Sequence, residues 1–142
     1  MKANELFPGS LVRVNRDGLC IKKDTIVEVR AVDADDKLPE KGLVGAAHCR
    51  PLDDDQFDGG IWCEYLDPIP LTAEILEKNG FTRFGTDYIL KEMHFGLENP
   101  SIPSNYLDNY WLRVSIKAVH IEYVHQIQNA LRLCGIDKEI EL

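Results

Sequence analysis

The chain has 142 residues and a net charge of −8, because 24 Asp and Glu outnumber 16 Lys and Arg. Hydrophobic residues make up 44% of the sequence and charged residues 28%, which is typical of a globular protein and excludes a mainly disordered chain. No apolar run approaches the roughly 18 residues that a bilayer crossing requires, so we expect no membrane span.

The negative charge is spread evenly along the chain, and no cluster of Lys and Arg interrupts it. Proteins that bind DNA or RNA independently of sequence neutralise phosphates with clustered basic side chains. We therefore expect no nucleic-acid partner.

The cysteines Cys20, Cys49, Cys63 and Cys134 lie at long spacings and form no CxxC pair. Each has apolar neighbours in a predicted strand or helix, where a free thiol packs as a small hydrophobic group. The first residues contain no hydrophobic signal region. These features predict reduced thiols and a cytoplasmic location.

Residues 1–66 have the pattern of a small β-structure. Asp17-Gly18 is typical of a hairpin turn, and residues 25–32 alternate apolar and charged side chains. Short strands are predicted at residues 11–14, 19–22, 25–32, 43–49 and 61–66. Five short strands in this length predict a small, strongly bent barrel of the Src-homology-3 kind, with a plain antiparallel meander as the alternative.

Residues 67–71 form the boundary between two predicted units. Pro68 and Pro70 impose an extended path, and Thr72 is a good N-cap for a helix over residues 73–79 that ends at Gly80. Residues 67–142 are therefore predicted to form a second unit that packs on the first, with the alternative that both belong to one domain.

The second unit continues with strands at residues 88–93 and 110–117, separated by a loop that includes residues 99–105. A helix is predicted at residues 122–134, because Val124, Ile127, Leu131 and Cys134 share one face. Residues 138–142 are predicted to return as an edge strand. The fold class is thus α+β: a small N-terminal barrel followed by a helix–strands–helix–strand unit.

Three strings resemble a family of small proteins from Bacteroides-type gut bacteria and their phages. They are NELFPGSLVRV at residues 4–14, PIPLTAEILEKNGF at 68–81 and YVHQIQNALRLCG at 123–135. The resemblance spans the whole chain and implies a prophage or mobile-element context. It implies no activity and transfers no catalytic residue.

Two motifs suggest metal sites, but both are incomplete. The acidic loop at residues 53–60 matches part of a calcium-binding loop, yet its twelfth position is Tyr65 where a bidentate Glu is needed. His48, Cys49 and Cys63 are soft ligands, but a structural zinc site uses four, and alternation places His48 and Cys49 on opposite faces of a strand. We expect neither a metal nor another cofactor.

The candidate functional residues form a binding surface. Trp62 is predicted to face outward or to pack against the second unit, and Gln126, Asn129 and Leu133 follow one line on the late helix, opposite its apolar stripe. A line of polar residues that ends in leucine suggests that another surface covers this face of the helix. That surface is either the N-terminal unit or a second copy of the chain. The sequence therefore favours a non-enzymatic interaction module that self-associates, and no catalytic residue is assigned. The alternative is an enzyme or small-ligand binder with its site in the cleft between the two units.

Overall fold

The computed structural model describes residues 1–53, 58–85, 87–90, 93–97, 110–114, 117–136 and 138–142. These described residues contain two antiparallel five-stranded sheets and two α-helices, which confirms the α+β class. Within the described residues, neither helix is long and apolar enough to cross a membrane.

The first sheet has the strand order β4-β3-β2-β1-β5. Its strands are β1 (Leu11–Val14), β2 (Ile26–Leu38), β3 (Leu43–Pro51), β4 (Gly59–Trp62) and β5 (Leu66–Pro68). Inward side chains such as Val12, Val29 and Ala47 are completely buried and form one hydrophobic core. The sheet is open, with β4 and β5 at its edges, so the predicted closed barrel is not confirmed.

The outer half of β2 extends beyond its neighbour. β1 pairs with β2 only from Ile26 to Glu28, whereas β3 pairs with β2 as far as Leu38. The second half of β2 is mostly exposed and includes three aspartates. It therefore forms an arm with β3 that projects past the rest of the sheet.

The strand predicted at residues 19–22 is wrong. Leu19 is fully exposed, and residues 15–25 form a loop held by hydrogen bonds such as the one from Asp24 N to Val14 O. The reason is that β1 already pairs with β2 on one side and β5 on the other, so it offers no edge to a third strand.

The strand predicted at residues 61–66 is interrupted. A turn of 3-10 helix, Cys63–Tyr65, separates β4 from β5. Two carbonyl groups of the turn accept hydrogen bonds from groups that are not in a neighbouring strand. The Met1 ammonium donates to Cys63 O, and the Asn15 side chain donates to Glu64 O. These contacts stabilise the break, and β5 then pairs with β1.

The second sheet is a meander with the strand order β10-β9-β8-β7-β6. Its strands are β6 (Thr82–Phe84), β7 (Asp87–Leu90), β8 (Met93–Leu97), β9 (Tyr110–Val114) and β10 (Lys117–His120). The strands predicted at residues 88–93 and 110–117 are each divided between two strands, and β6 was not predicted. The predicted loop at residues 99–105 lies outside the described residues.

Helix α1 (Ala73–Lys78) follows the sequence prediction closely. The Thr72 hydroxyl accepts a hydrogen bond from Ile75 N at 3.2 Å, and Gly80 has a positive φ of 76° just after the helix. Leu76 anchors the helix in the second hydrophobic core.

Helix α2 (Val124–Leu133) buries Val124, Ile127 and Leu131, as predicted. The fourth predicted core residue, Cys134, is exposed, because it lies just past the last helical residue.

The edge strand predicted at residues 138–142 is wrong. Residues 138–142 are held by side-chain contacts and not by the hydrogen bonds of a β-sheet. Asn79 Oδ1 accepts from Glu141 N at 2.9 Å, Asn79 Nδ2 donates to Glu141 O at 2.7 Å, and Ile140 is buried.

Strand β1 joins the two parts of the molecule. Val12 points into the first core, whereas Leu11 belongs to the second core, which α2 covers. The Gln128 amide spans this junction: its Oε1 accepts from Leu11 N at 2.9 Å and its Nε2 donates to Gly9 O at 3.1 Å. One side chain thus binds α2 to the backbone that leads into the first sheet.

Replacing Gln128 with Leu is expected to lower the free energy of unfolding by about 1–3 kcal/mol, because Leu11 N and Gly9 O lose their partner in a partly buried site. Urea denaturation followed by circular dichroism measures the loss. The control is Glu77→Ala on the exposed face of α1, which should change stability by less than about 0.5 kcal/mol. Equal stability of the two variants would show that these Gln128 hydrogen bonds do not stabilise the contact between α2 and β1.

Candidate functional site

The residues predicted to form an interface have different environments. Trp62 is half-buried at the end of β4, where it pairs with Ala46 of β3. On α2, Gln126 and Asn129 are half-buried, whereas Leu133 is 80% exposed. Within the described part of the chain, nothing therefore covers Leu133, the last residue of the predicted line.

Gln126 also has a structural role that the sequence pattern did not indicate. Its Oε1 accepts hydrogen bonds from Glu122 N at 2.8 Å and Tyr123 N at 3.1 Å. These bonds satisfy amide groups at the start of α2, where the helix supplies no acceptor. The amide oxygen is thus engaged within the chain and is not free to bind a partner.

A cleft of about 420 Å³ lies between the first sheet and the end of α2. Leu11, Glu28 and Leu52 line it from the sheet, and Arg132 and Ile136 line it from the other side. The Arg132 guanidinium lies so close to Gly9 that a β-carbon there would approach it to 2.5 Å. Gly9 also has a φ of 89°, a left-handed conformation that favours glycine, so any other residue here would be strained and would displace the guanidinium.

A second cavity, of about 440 Å³, lies at the start of α2, and we call it the His125 cavity. Glu5 and Phe7 of the N-terminal segment form one side, Pro68 at the end of β5 another, and Tyr123 and His125 the third. The rings of Tyr123 and His125 stack with centroids 5.9 Å apart and an angle of 12° between their planes.

His125 is the polar side chain that the sequence reasoning missed. It is only 5% exposed, and its Nδ1 has no hydrogen-bond partner among the described residues. Burial lowers the pKa of His125, and the nearby Glu5 carboxylate opposes this shift to a smaller extent. The imidazole is therefore neutral at neutral pH.

The other three histidines lie at the surface and pair with carboxylates. His48 Nδ1 lies 3.0 Å from Asp58, His94 Nε2 lies 3.0 Å from Asp87, and His120 Nε2 lies 3.7 Å from Glu122. These pairs belong to different strands and loops, and they do not converge on one site.

The buried thiols form part of the first core. Burial raises the pKa of Cys49 to about 12 and also raises the pKa of Cys63. The expectation that all four cysteines are packed is wrong for Cys20 and Cys134, which are exposed because one lies in the loop after β1 and the other after α2.

Neither of the metal motifs considered in the sequence is assembled in the described residues. No group of three or more His, Cys, Asp or Glu side chains there has the arrangement of a metal site. Residues 54–57 of the acidic loop lie outside the described residues, and Asp58 contacts His48.

Comparison with known proteins adds no further evidence on function. No family model matches the chain, and neither a curated protein nor a solved structure matches it.

The stability of the protein is expected to fall as the pH drops below 6.5, the ordinary pKa of histidine. The folded state resists protonation of His125 while the unfolded state accepts it, so the loss approaches about 1.4 kcal/mol per pH unit until the folded pKa is reached. Urea denaturation between pH 7.5 and 5 measures this slope. His125→Phe, which keeps an aromatic ring beside Tyr123, should reduce the slope.

Leu19→Gln, an uncharged substitution at a fully exposed position, is the control and should keep the wild-type slope. If His125→Phe and the wild type lose stability equally on acidification, then burial of His125 does not govern the response.

Under native conditions, Ellman's reagent is expected to label two thiols rapidly, those of Cys20 and Cys134. Cys49 and Cys63 should react only after unfolding, because they are buried and because the thiolate is the reactive form. The double variant Cys20→Ser/Cys134→Ser should lose the rapid phase and still show two thiols in denaturant. A rapid phase that persists in this variant would contradict the buried positions.

Proposed function

We propose that the protein is a non-enzymatic interaction module that self-associates through the exposed face of α2. The observation that carries the proposal is Leu133, which is 80% exposed at the end of a helix whose opposite face is completely buried. Burial of a leucine side chain stabilises an association by about 1.5–3 kcal/mol. A contact between two copies of α2 is the simplest way to gain that energy, since paired identical surfaces are the commonest route to a homodimer.

The proposed surface consists of Gln126, Asn129 and Leu133, with Trp62 as a further candidate contact. Gln126 contributes through its amide nitrogen and its stem, because its oxygen caps α2. The half-buried Asn129 supplies a polar group between the cap and the exposed leucine. Polar groups around an apolar centre are characteristic of protein interfaces.

The biological setting belongs to the same proposal. The family resemblance implies a role in a prophage or another mobile element, as an accessory protein. A cytoplasmic location is supported by the exposed, unpaired thiols of Cys20 and Cys134, which are typical of a reducing compartment.

We also infer that the first sheet belongs to the Src-homology-3-like class of small barrels. Support comes from the order of the strands, with β1 between β2 and β5, and from the 3-10 turn between β4 and β5. The register of β2 against β3 is irregular after Val29 and again after Asp33. Such irregularities bend a strand and increase its twist, which is how a sheet of this size curls.

A second candidate function is the binding of a small ligand in the cleft beside α2. It is favoured by the position of the cleft between the two units and by its volume of about 420 Å³, which is within the range of ligand sites. Arg132 and Glu28 supply opposite charges on its two walls.

The self-association proposal is tested with Leu133→Asp. The wild type is expected to scatter light as a particle of twice the chain mass of 16.1 kDa at high concentration, and the variant as a single chain. The melting temperature of the variant, measured at a dilution where the wild type is monomeric, should be unchanged because the side chain is exposed. Leu19→Asp, at a fully exposed leucine in the loop after β1, is the matched control and should keep the wild-type mass.

A wild type that remains a single chain at all concentrations would overturn self-association and leave the cleft as the better candidate. A dimer that survives Leu133→Asp would show that another surface makes the contact.

A further inference from the structure

The cleft beside the end of α2 carries balanced charges. Among the described residues, it is lined by two carboxylates, Glu28 and Glu139, and by two cations, Arg132 and Lys138. A ligand with only one kind of charge would be attracted by half of these groups and repelled by the other half. A ligand that carries both a positive and a negative group pairs each with an opposite charge. The described lining therefore favours a zwitterion.

Arg132 supplies hydrogen-bond donors at one wall of the cleft. Its guanidinium lies against the backbone of Gly9, where an added β-carbon would approach it to 2.5 Å. Within the described residues, the guanidinium forms no ion pair with a carboxylate. A guanidinium presents parallel N–H donors that match the two oxygens of a carboxylate. Arg132 is therefore suited to the negative group of a ligand.

Glu28 supplies an acceptor at the opposite wall. It belongs to β2, and its side chain is 28% exposed. A guanidinium nitrogen of Arg30 lies 3.0 Å from Glu28 Oε2. An ionised carboxylate accepts more than one hydrogen bond, so Oε1 remains to accept from a ligand. Glu28 is therefore suited to the positive group.

Aliphatic side chains supply the rest of the argument. Leu11 and Leu52 line the cleft from the first sheet, and Ile136 lines it from the other side. Leu52 is 54% exposed, so an apolar group placed on it would remove apolar surface from water. Ligand sites commonly combine such a surface with a few polar groups that fix the orientation of the ligand.

We propose that the cleft binds a zwitterion with an apolar side chain, in which Arg132 pairs with the carboxylate and Glu28 with the ammonium group. The proposal rests on the second candidate function, a small-ligand site in this cleft, and specifies its ligand class. Free apolar amino acids and short apolar peptides share this chemistry. Such a ligand has no net charge, so the protein's charge of −8 does not repel it.

The test is a titration of the full-length protein with L-leucyl-L-leucine at millimolar concentrations, followed by NMR. The methyl signals of Leu52 and Ile136 and the Nε–H signal of Arg132 are expected to shift and to saturate. The methyl signals of Leu19, in the loop after β1, should not shift. Glycylglycine has the same charges without the apolar side chains and should bind at least about tenfold more weakly. Equal binding of glycylglycine would contradict the apolar part of the site.

Three further compounds test the two charges. N-acetyl-leucyl-leucine lacks the ammonium group and leucyl-leucinamide lacks the carboxylate, and each should bind about two- to fivefold more weakly than leucyl-leucine. N-acetyl-leucyl-leucinamide lacks both charges. If it binds as tightly as leucyl-leucine, the zwitterion proposal is overturned while the small-ligand cleft stands. If none of the four leucine compounds shifts the cleft signals, the proposal and the second candidate function both fail.

Two variants assign the charges to residues. Arg132→Gln should weaken leucyl-leucine binding about two- to fivefold and leave leucyl-leucinamide binding unchanged, because that compound has no carboxylate. Glu28→Gln should weaken leucyl-leucine binding similarly and leave N-acetyl-leucyl-leucine binding unchanged. Arg30→Gln, which also removes the Glu28–Arg30 pair, is the control for Glu28→Gln and should not weaken binding. Lys41→Gln, at an exposed cation before β3, is the control for Arg132→Gln.

A variant that weakens the binding of all compounds equally would show a structural role for that residue and would overturn its assignment.

The source of the ligand is distinguished by titration with L-leucine. Tighter binding of L-leucine than of leucyl-leucine indicates a free amino acid, and weaker binding indicates a short peptide. Both outcomes support a zwitterion site. A failure of both compounds to shift the cleft signals overturns it, and light scattering of Leu133→Asp decides self-association separately.

Discussion

The position of β1 between the two hydrophobic cores is the constraint on which the rest of the structure depends. Val12 and Val14 fill the core of the first sheet, while Leu11 on the opposite face enters the core beneath α2. The backbone of a central strand that contributes to both cores is largely shielded from water, so its polar groups require partners in the protein. Strand β2, strand β5 and the Gln128 amide meet that requirement, and they thereby fix the first sheet against α2.

The start of α2 has two roles because of this arrangement. Two hydrogen bonds, from Leu71 N to Glu122 O and from Val124 N to Ile69 O, connect the proline-containing segment at residues 67–71 to the start of α2. The start of α2 also contributes Tyr123 and His125 to the cavity beneath the N-terminal segment.

Features specified by neighbouring residues could be predicted from the sequence, whereas features specified by distant residues could not. The cap at Thr72, the end of α1 near Gly80 and the stripe of Ile127 and Leu131 depend on local spacing, and all are present. The strand limits failed because they depend on partners: residues 19–22 have β-type composition but no free edge beside β1. The environment of His125 was missed because residues far away in the chain cover it, and its position on α2 carries no local signal.

The long arm formed by β2 and β3 has a consequence for the solubility of the protein. Beyond Val29 the described chain places no strand along one edge of β2, and an open edge can pair with strands of other molecules. The Asp33 carboxylate accepts hydrogen bonds from Asp35 N and Asp36 N, both at 3.1 Å, so it occupies two amides of this segment. Asp33, Asp35 and Asp36 are exposed on this half of β2, and repulsion between their negative charges in neighbouring copies opposes stacking of the arms. The charges that contribute nothing to the core therefore act as a barrier to aggregation of the arms.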